Sequence, residues 1–147
     1  MEGADTMAHA LMATVALVAG DRFAATTGSG GHAPLAPANA TAPTGAVSPM
    51  EALLVALGGC LGMSVAPILR KMRQPVTRYE LRVSGALSER LPRVFEAITV
   101  EHIIAGEGLD PAAIERALGL AETRYCGVSA MLGKAVPITH HLTIHVA

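Results

Sequence analysis

The sequence predicts an α+β fold, with an antiparallel sheet packed on or around one long, buried central helix. Three observations carry this reading. Residues 48–73 form one helical stretch that is apolar on every side. Residues 76–86, 93–105 and 138–146 alternate apolar and polar side chains, as half-exposed strands do. A second helical period, Ile114, Ala117, Leu118 and Ala121, lies between the last two of them.

The 147 residues are expected to form one domain, 1–147. It divides into N-terminal strands and loop (1–47), central helix (48–73) and a second α+β half (74–147). Apolar residues make up 51% of the chain and charged residues only 16%. Such a chain has little surface to spare, so a second copy is expected to cover part of it. The net charge is −1, which argues against nucleic acid, and no stretch of basic residues suggests a membrane-surface patch. The N-terminus carries Glu2 and Asp5 where a signal peptide needs a positive start, so a cytoplasmic protein is expected. In that compartment two distant cysteines are inert thiols, or they cycle.

Residues 8–19 end in Gly20-Asp21 and read as a strand entering a turn, with 22–27 returning as its hairpin partner. Residues 28–47, rich in Gly, Ala, Pro, Thr and Asn, read as a loop or a pair of short edge strands. Ser48-Pro49-Met50-Glu51 is a helix start: Ser48 caps, Pro49 suits the first position, and Glu51 completes a capping box. Pro67 lies inside the helix and is expected to kink it. Leu91-Pro92 connects the two long strands. Asp110-Pro111 caps the second helix, which ends near Tyr125-Cys126, and 129–135 reads as a further short helix. In 138–146, Ile138, His140, Leu142, Ile144 and Val146 share one face.

Cys60 stands inside the apolar helix, and the other cysteine follows 66 residues later. Three readings compete: a membrane span, an inert core helix, or a reactive thiol on a buried helix. Ala52 to Leu69 is long enough to span a bilayer. Its Ala and Gly content, its acid-bearing capping box and the strands that need an apolar surface argue against that. Gly58-Gly59 each cost a helix about 1 kcal/mol relative to alanine, so something must come close there. Either a ligand approaches Cys60, or the helix packs tightly on a strand. Glu51 and Cys60 are nine residues apart, half a turn out of phase and about 13 Å along a regular helix. If Glu51 serves a thiol, that thiol belongs to a second copy. The histidines look scattered: His9, His32 and His102 apart, His140, His141 and His145 of mixed parity. No metal is expected, and surface or edge-strand positions are the plainer reading for them.

Ser-Pro-Met-Glu-Ala-Leu-Leu at 48–54, Ala-Leu-Gly-Gly-Cys at 56–60, Ile68-Leu69-Arg70-Lys71 and Arg124-Tyr125-Cys126 together resemble the OsmC/Ohr family of small cysteine-based peroxidases. The resemblance covers about 48–147 and is nearest the less characterised OsmC-like branch, although Ser64 stands where Asp is expected. It implies an intertwined homodimer with active sites at the subunit interface, and no cofactor. It also implies a Cys60 that attacks the peroxide, a Cys126 that resolves the sulfenic acid as a disulfide, and a catalytic Glu51. Arg22 matches the family's thiolate-holding arginine by rough position, and equally reads as an exposed turn residue. The implied activity is reduction of organic hydroperoxides, with an external dithiol restoring both thiols. Met63 and Met131 would make the surroundings suit an organic peroxide, or are core packing. The alternative is a protein of the same fold that binds a small apolar ligand without turnover.

Overall fold

The computed structural model describes residues 10–39 and 44–146. The chain divides into two compact units, one running to Ala52 and the other beginning at Leu53. The N-terminal unit is a three-stranded antiparallel meander of β1 (Ala13–Ala19), β2 (Arg22–Thr27) and β3 (His32–Leu35). Gly20, at φ +57, makes the first turn in a conformation that a side chain would strain. The expected hairpin is therefore present, and part of the loop beyond it is a strand. Residues 8, 9 and 40–43 lie outside the described residues.

Helix α1 (Pro49–Lys71) starts in this unit and continues unbroken through Pro67. Its first turn is the expected capping box. The Ser48 hydroxyl donates to Glu51 Oε1 at 2.6 Å, the Ser48 N–H donates to the same oxygen, and the Glu51 N–H points back to Ser48 Oγ at 3.3 Å. At the other end Arg73 takes the left-handed conformation, φ 55. The Gln74 N–H then bonds the Leu69 carbonyl, which closes the helix with a Schellman turn. The Gln74 side chain accepts from the Asp110 N–H at 2.8 Å, tying that end to the start of the next helix.

The second unit is a three-stranded sheet in the order β4 (Val76–Leu87), β5 (Phe95–Gly106), β6 (Ile138–His145). Strands β4 and β5 are antiparallel, whereas β5 and β6 are parallel. This differs from the expected all-antiparallel sheet. The reason is the connection: β6 is reached through two helices, and a long crossover returns a strand in the same direction. Those helices are α2 (Pro111–Leu120) and α3 (Gly127–Leu132), joined by a π-helical turn, Ala121–Tyr125. Asp110 caps α2 through the Ala112 N–H, as its sequence predicts.

One face of α1 covers this sheet. Leu57, Leu61, Val65 and Leu69, four residues apart, are its buried residues. Leu57 and Leu61 join Ile98, Val100, Cys126 and Val136, while Val65 and Leu69 join Ile104, Ile114, Ala117 and Ala121. The expectation of a helix buried on every side is not met within one chain: Val55 and Met63 are exposed, Met63 by 80%. By length and composition α1 could cross a membrane, yet its buried stripe is committed to the sheet. Leu61→Ala should lower the unfolding free energy by about 2–5 kcal/mol, read from urea unfolding, because the cavity opens between helix and sheet.

Candidate functional site: a thiol pair beside a buried histidine row

Cys60 projects from the middle of α1, partly buried, against the cluster that contains the buried Cys126. Leu54, Leu81, Val83, Phe95, Val128, Leu132 and Ile138 pack against the same largely aliphatic cluster. Both cysteines are free, and the Cys60 side chain is near enough to act on the Cys126 thiol. Cys126 occupies the N-cap of α3, where its sulfur accepts from the Ser129 N–H at 3.3 Å. Burial pushes the Cys126 thiol well above its ordinary range, and the adjacent Cys60 thiol pushes it further.

The two glycines before Cys60 do different things. A Cβ on Gly58 would meet Val83 Cγ2 at 3.0 Å, so Gly58 lets the helix approach β4. A Cβ on Gly59 would meet nothing within 4 Å. An open groove of about 380 Å³ runs over both, lined also by Leu54, Val55, Leu81 and Val83. Packing explains Gly58, and open space in front of the thiol's own turn remains at Gly59.

The other sequence-derived candidates lie in the N-terminal unit. Glu51 caps the helix through Oε1, and its carboxyl is held below the usual range first by the Ser48 hydroxyl and then by the Ser48 N–H. Arg22 opens β2, exposed, with Nη2 at 3.5 Å from the Thr44 carbonyl. Among the described residues no ion pair joins Arg22 to Glu51. Met63 and Met131 are exposed, not core packing.

The scattered reading of the histidines is wrong for two of them. Tyr79 Oη lies 2.7 Å from His102 Nδ1, and His102 Nε2 lies 3.1 Å from His140 Nδ1. His140 Nε2 then faces Glu122 Oε1, on the π-helical turn, at 3.5 Å. The three rings stack in series across β4, β5 and β6. His102 is 1% exposed. The signal is parity: His140 shares the face of Ile138, Leu142 and Ile144, and His102 that of Ile98, Val100 and Ile104. His141 and His145 are exposed, as expected for them, and His9 lies outside the described residues. Among the described residues no group of three His, Cys, Asp or Glu is placed to hold a metal ion.

An α+β chain whose described residues form six strands and three helices, with two free thiols in one largely aliphatic cluster, defines a small dithiol protein of a known class. The chain belongs to the OsmC-like protein family, which it matches over residues 42–141. The resemblance read from the sequence therefore holds. Protein YhfA of Escherichia coli K12 is 44% identical over 95 residues, 65% of this chain and 71% of that protein. A hypothetical protein from Aquifex aeolicus has a crystal structure 25% identical, with a TM-score of 0.84, over 95% of this chain and 98% of that one. The organic hydroperoxide resistance protein OhrB of Bacillus subtilis shares the fold at 14% identity and a TM-score of 0.67, over 92% and 99% of the two chains.

Burial, with a smaller repulsion from His140, lowers the His102 pKa from its ordinary 6.5 to about 4. A depressed folded-state value means that the unfolded chain binds the proton more readily, so this stability is present above the unfolded value. It is lost as pH falls from 6.5 towards 4. Thermal unfolding should therefore show a falling Tm over that interval, and His102→Gln should flatten the fall.

Proposed function

We propose that the protein is a thiol peroxidase that reduces organic hydroperoxides. One observation carries the reading: Cys60 and Cys126, far apart in sequence, come together in one largely aliphatic cluster, near enough for Cys60 to act on the Cys126 thiol. The Cys60 thiolate attacks the outer oxygen of the O–O bond. The alcohol leaves with a proton, and Cys60 becomes a sulfenic acid. Cys126 then condenses with it, releasing water and forming the disulfide. An external dithiol takes up the oxidation by exchange and returns both thiols. The raised Cys126 thiol suits the second role, because it stays protonated until the sulfenic acid draws it in. The apolar lining of the groove over Gly58 and Gly59 favours an alkyl peroxide over hydrogen peroxide. A cytoplasmic setting fits the need for a dithiol reductant.

The working unit under this reading is an intertwined homodimer with its sites at the subunit interface. The exposed Val55 and Met63 on α1 and the exposed Leu17 and Val18 on β1 supply apolar surface for a second copy. Glu51 is half a helical turn out of phase with Cys60, so Glu51 of one copy serves the Cys60 of the other, and the family resemblance adds Arg22 to the same site. There the guanidinium offsets the desolvation of the thiolate, and the carboxylate holds the guanidinium.

The same groove supports a second reading, binding of a small apolar ligand without turnover. Titration of the reduced protein with an alkyl hydroperoxide separates the two. The peroxidase loses two thiols per peroxide, and a dithiol restores them. A binding protein keeps both thiols in excess peroxide. Cys60→Ser should abolish consumption, whereas Cys126→Ser should complete one turnover and stall as a sulfenic acid trapped by dimedone. Full activity in Cys60→Ser sinks the mechanism. In sedimentation velocity the unaltered protein should run as a dimer, and Met63→Lys should weaken the dimer by roughly tenfold or more. A unaltered protein that sediments as a monomer removes the shared site.

A further inference from the structure

The row Tyr79, His102, His140 touches neither cysteine, yet it ends on the segment that carries one of them. Its hydrogen bonds have one direction. The Tyr79 hydroxyl has no other hydrogen-bond partner among the described residues, so its proton goes to His102 Nδ1. Burial holds that phenol protonated and keeps His102 neutral. A neutral imidazole with Nδ1 accepting carries its proton on Nε2, which donates to His140 Nδ1. The same rule then puts the His140 proton on Nε2, the atom that faces Glu122. That nitrogen is buried and makes no hydrogen bond, and Glu122 Oε1, 3.5 Å away, is the acceptor it faces.

Glu122 lies in the π-helical turn Ala121–Tyr125, which the Cys126 N–H closes by bonding the Ala121 carbonyl at 2.8 Å. A π turn holds one residue more than an α turn, so it sets the angle at which the chain leaves the helix. Here the chain leaves directly into Cys126. Accordingly, we infer that His140 is a positioning residue: fixed in one tautomer by Tyr79 and His102, it anchors Glu122 and thereby holds the π turn so that Cys126 meets Cys60. This rests on the peroxidase reading only for its use, since the placement concerns disulfide formation by any oxidant.

Protonation undoes the arrangement. A proton on His140 Nδ1 turns an acceptor into a donor, so His102 must reverse its tautomer and the buried Tyr79 proton loses its acceptor. The charged pair gained with Glu122 is half in solvent, 41% exposed on the Glu122 side, and does not offset a buried loss. The titratable groups facing His140 are Tyr79 from β4 by way of His102, His102 from β5, and Glu122 from the π turn.

The test is the equilibrium between the Cys60–Cys126 disulfide and a dithiothreitol redox buffer. His140→Gln, Glu122→Gln and the double variant are compared with the unaltered protein. Near neutral pH each single variant should lower the equilibrium constant about tenfold, and the double variant should lose no more than either single one, as one chain of contacts requires. Nitrogen-15 spectra of the imidazoles should show both His102 and His140 protonated at Nε2 and unprotonated at Nδ1. Glu122 is exposed enough that Glu122→Gln keeps its fold, so the test survives if His140→Gln does not. Constants within twofold of the unaltered protein, losses that multiply, or the opposite tautomers would each overturn the proposal. A protein that ignores hydroperoxides but forms this disulfide in the redox buffer fails the peroxidase reading alone. One in which the buffer never pairs the thiols fails this proposal.

Discussion

The second unit depends on one contact, the seating of Leu57, Leu61, Val65 and Leu69 of α1 on the β4–β5–β6 sheet. Four aliphatic side chains at four-residue spacing make a narrow stripe, so only one rotation of the helix buries all of them. That rotation decides where Cys60 points. Cys60 lies one residue before Leu61 and three after Leu57, at the edge of the stripe, so it is partly buried while Gly59 faces outward. Gly58 permits the seating by leaving room for Val83, and Gly62 does the same for Leu81, whose Cδ1 a Cβ there would meet at 3.2 Å. The small residues around the thiol are thus largely a consequence of helix–sheet contact. The two glycines before Cys60 therefore differ, with packing at Gly58 and open space at Gly59.

The crossover supplies the other half of the site. Because β6 must run parallel to β5, the chain from Gly106 has to travel back along the sheet before it can pair. It does so as α2, the π turn and α3, and Cys126 falls at the break between the last two. A cysteine at a helix N-cap is fixed by its own backbone and by the Ser129 N–H. Its sulfur therefore reaches the core without the freedom of a loop thiol. Two cysteines placed on independent rigid elements, not on loops, meet with little conformational entropy left to lose.

Local chemistry was legible in the sequence, and long-range pairing was not. Ser48 with Glu51, and Asp110 with Pro111, announce helix starts because caps are made within four residues. The strands at 76–86, 93–105 and 138–146 appear within two residues of their observed limits, because alternation is also local. The parallel β5–β6 pair stayed hidden, since parity tells which face a side chain takes and not which way its neighbour runs. The π turn stayed hidden for a similar reason: one added residue in a helix leaves no mark in a sequence as short as Ala-Glu-Thr-Arg-Tyr. The two buried histidines are a different case. Their parity was visible and pointed inward, but their polarity argued for the surface, and polarity was given the greater weight. The thiol pair itself came from a family resemblance, because nothing local says that residues 60 and 126 are neighbours. The reach of Arg22 and Glu51 rests on the same resemblance.

A buried polar row is a cost that an aliphatic sheet need not bear. Replacing Tyr79, His102 and His140 by leucine-like residues would leave no polar group to satisfy and would extend a core already built from Ile98, Val100, Ile104 and Ile114. The row as it stands satisfies both ring nitrogens of His102 and Nδ1 of His140 in only one proton arrangement. It also leaves its last nitrogen without a hydrogen bond at the point where it faces the π turn. A device for stability alone would close on itself. This one ends open, towards Glu122, four residues before a cysteine whose position matters to within a bond length. The open end is what separates a structural histidine cluster from one that acts at a distance, through the turn it faces.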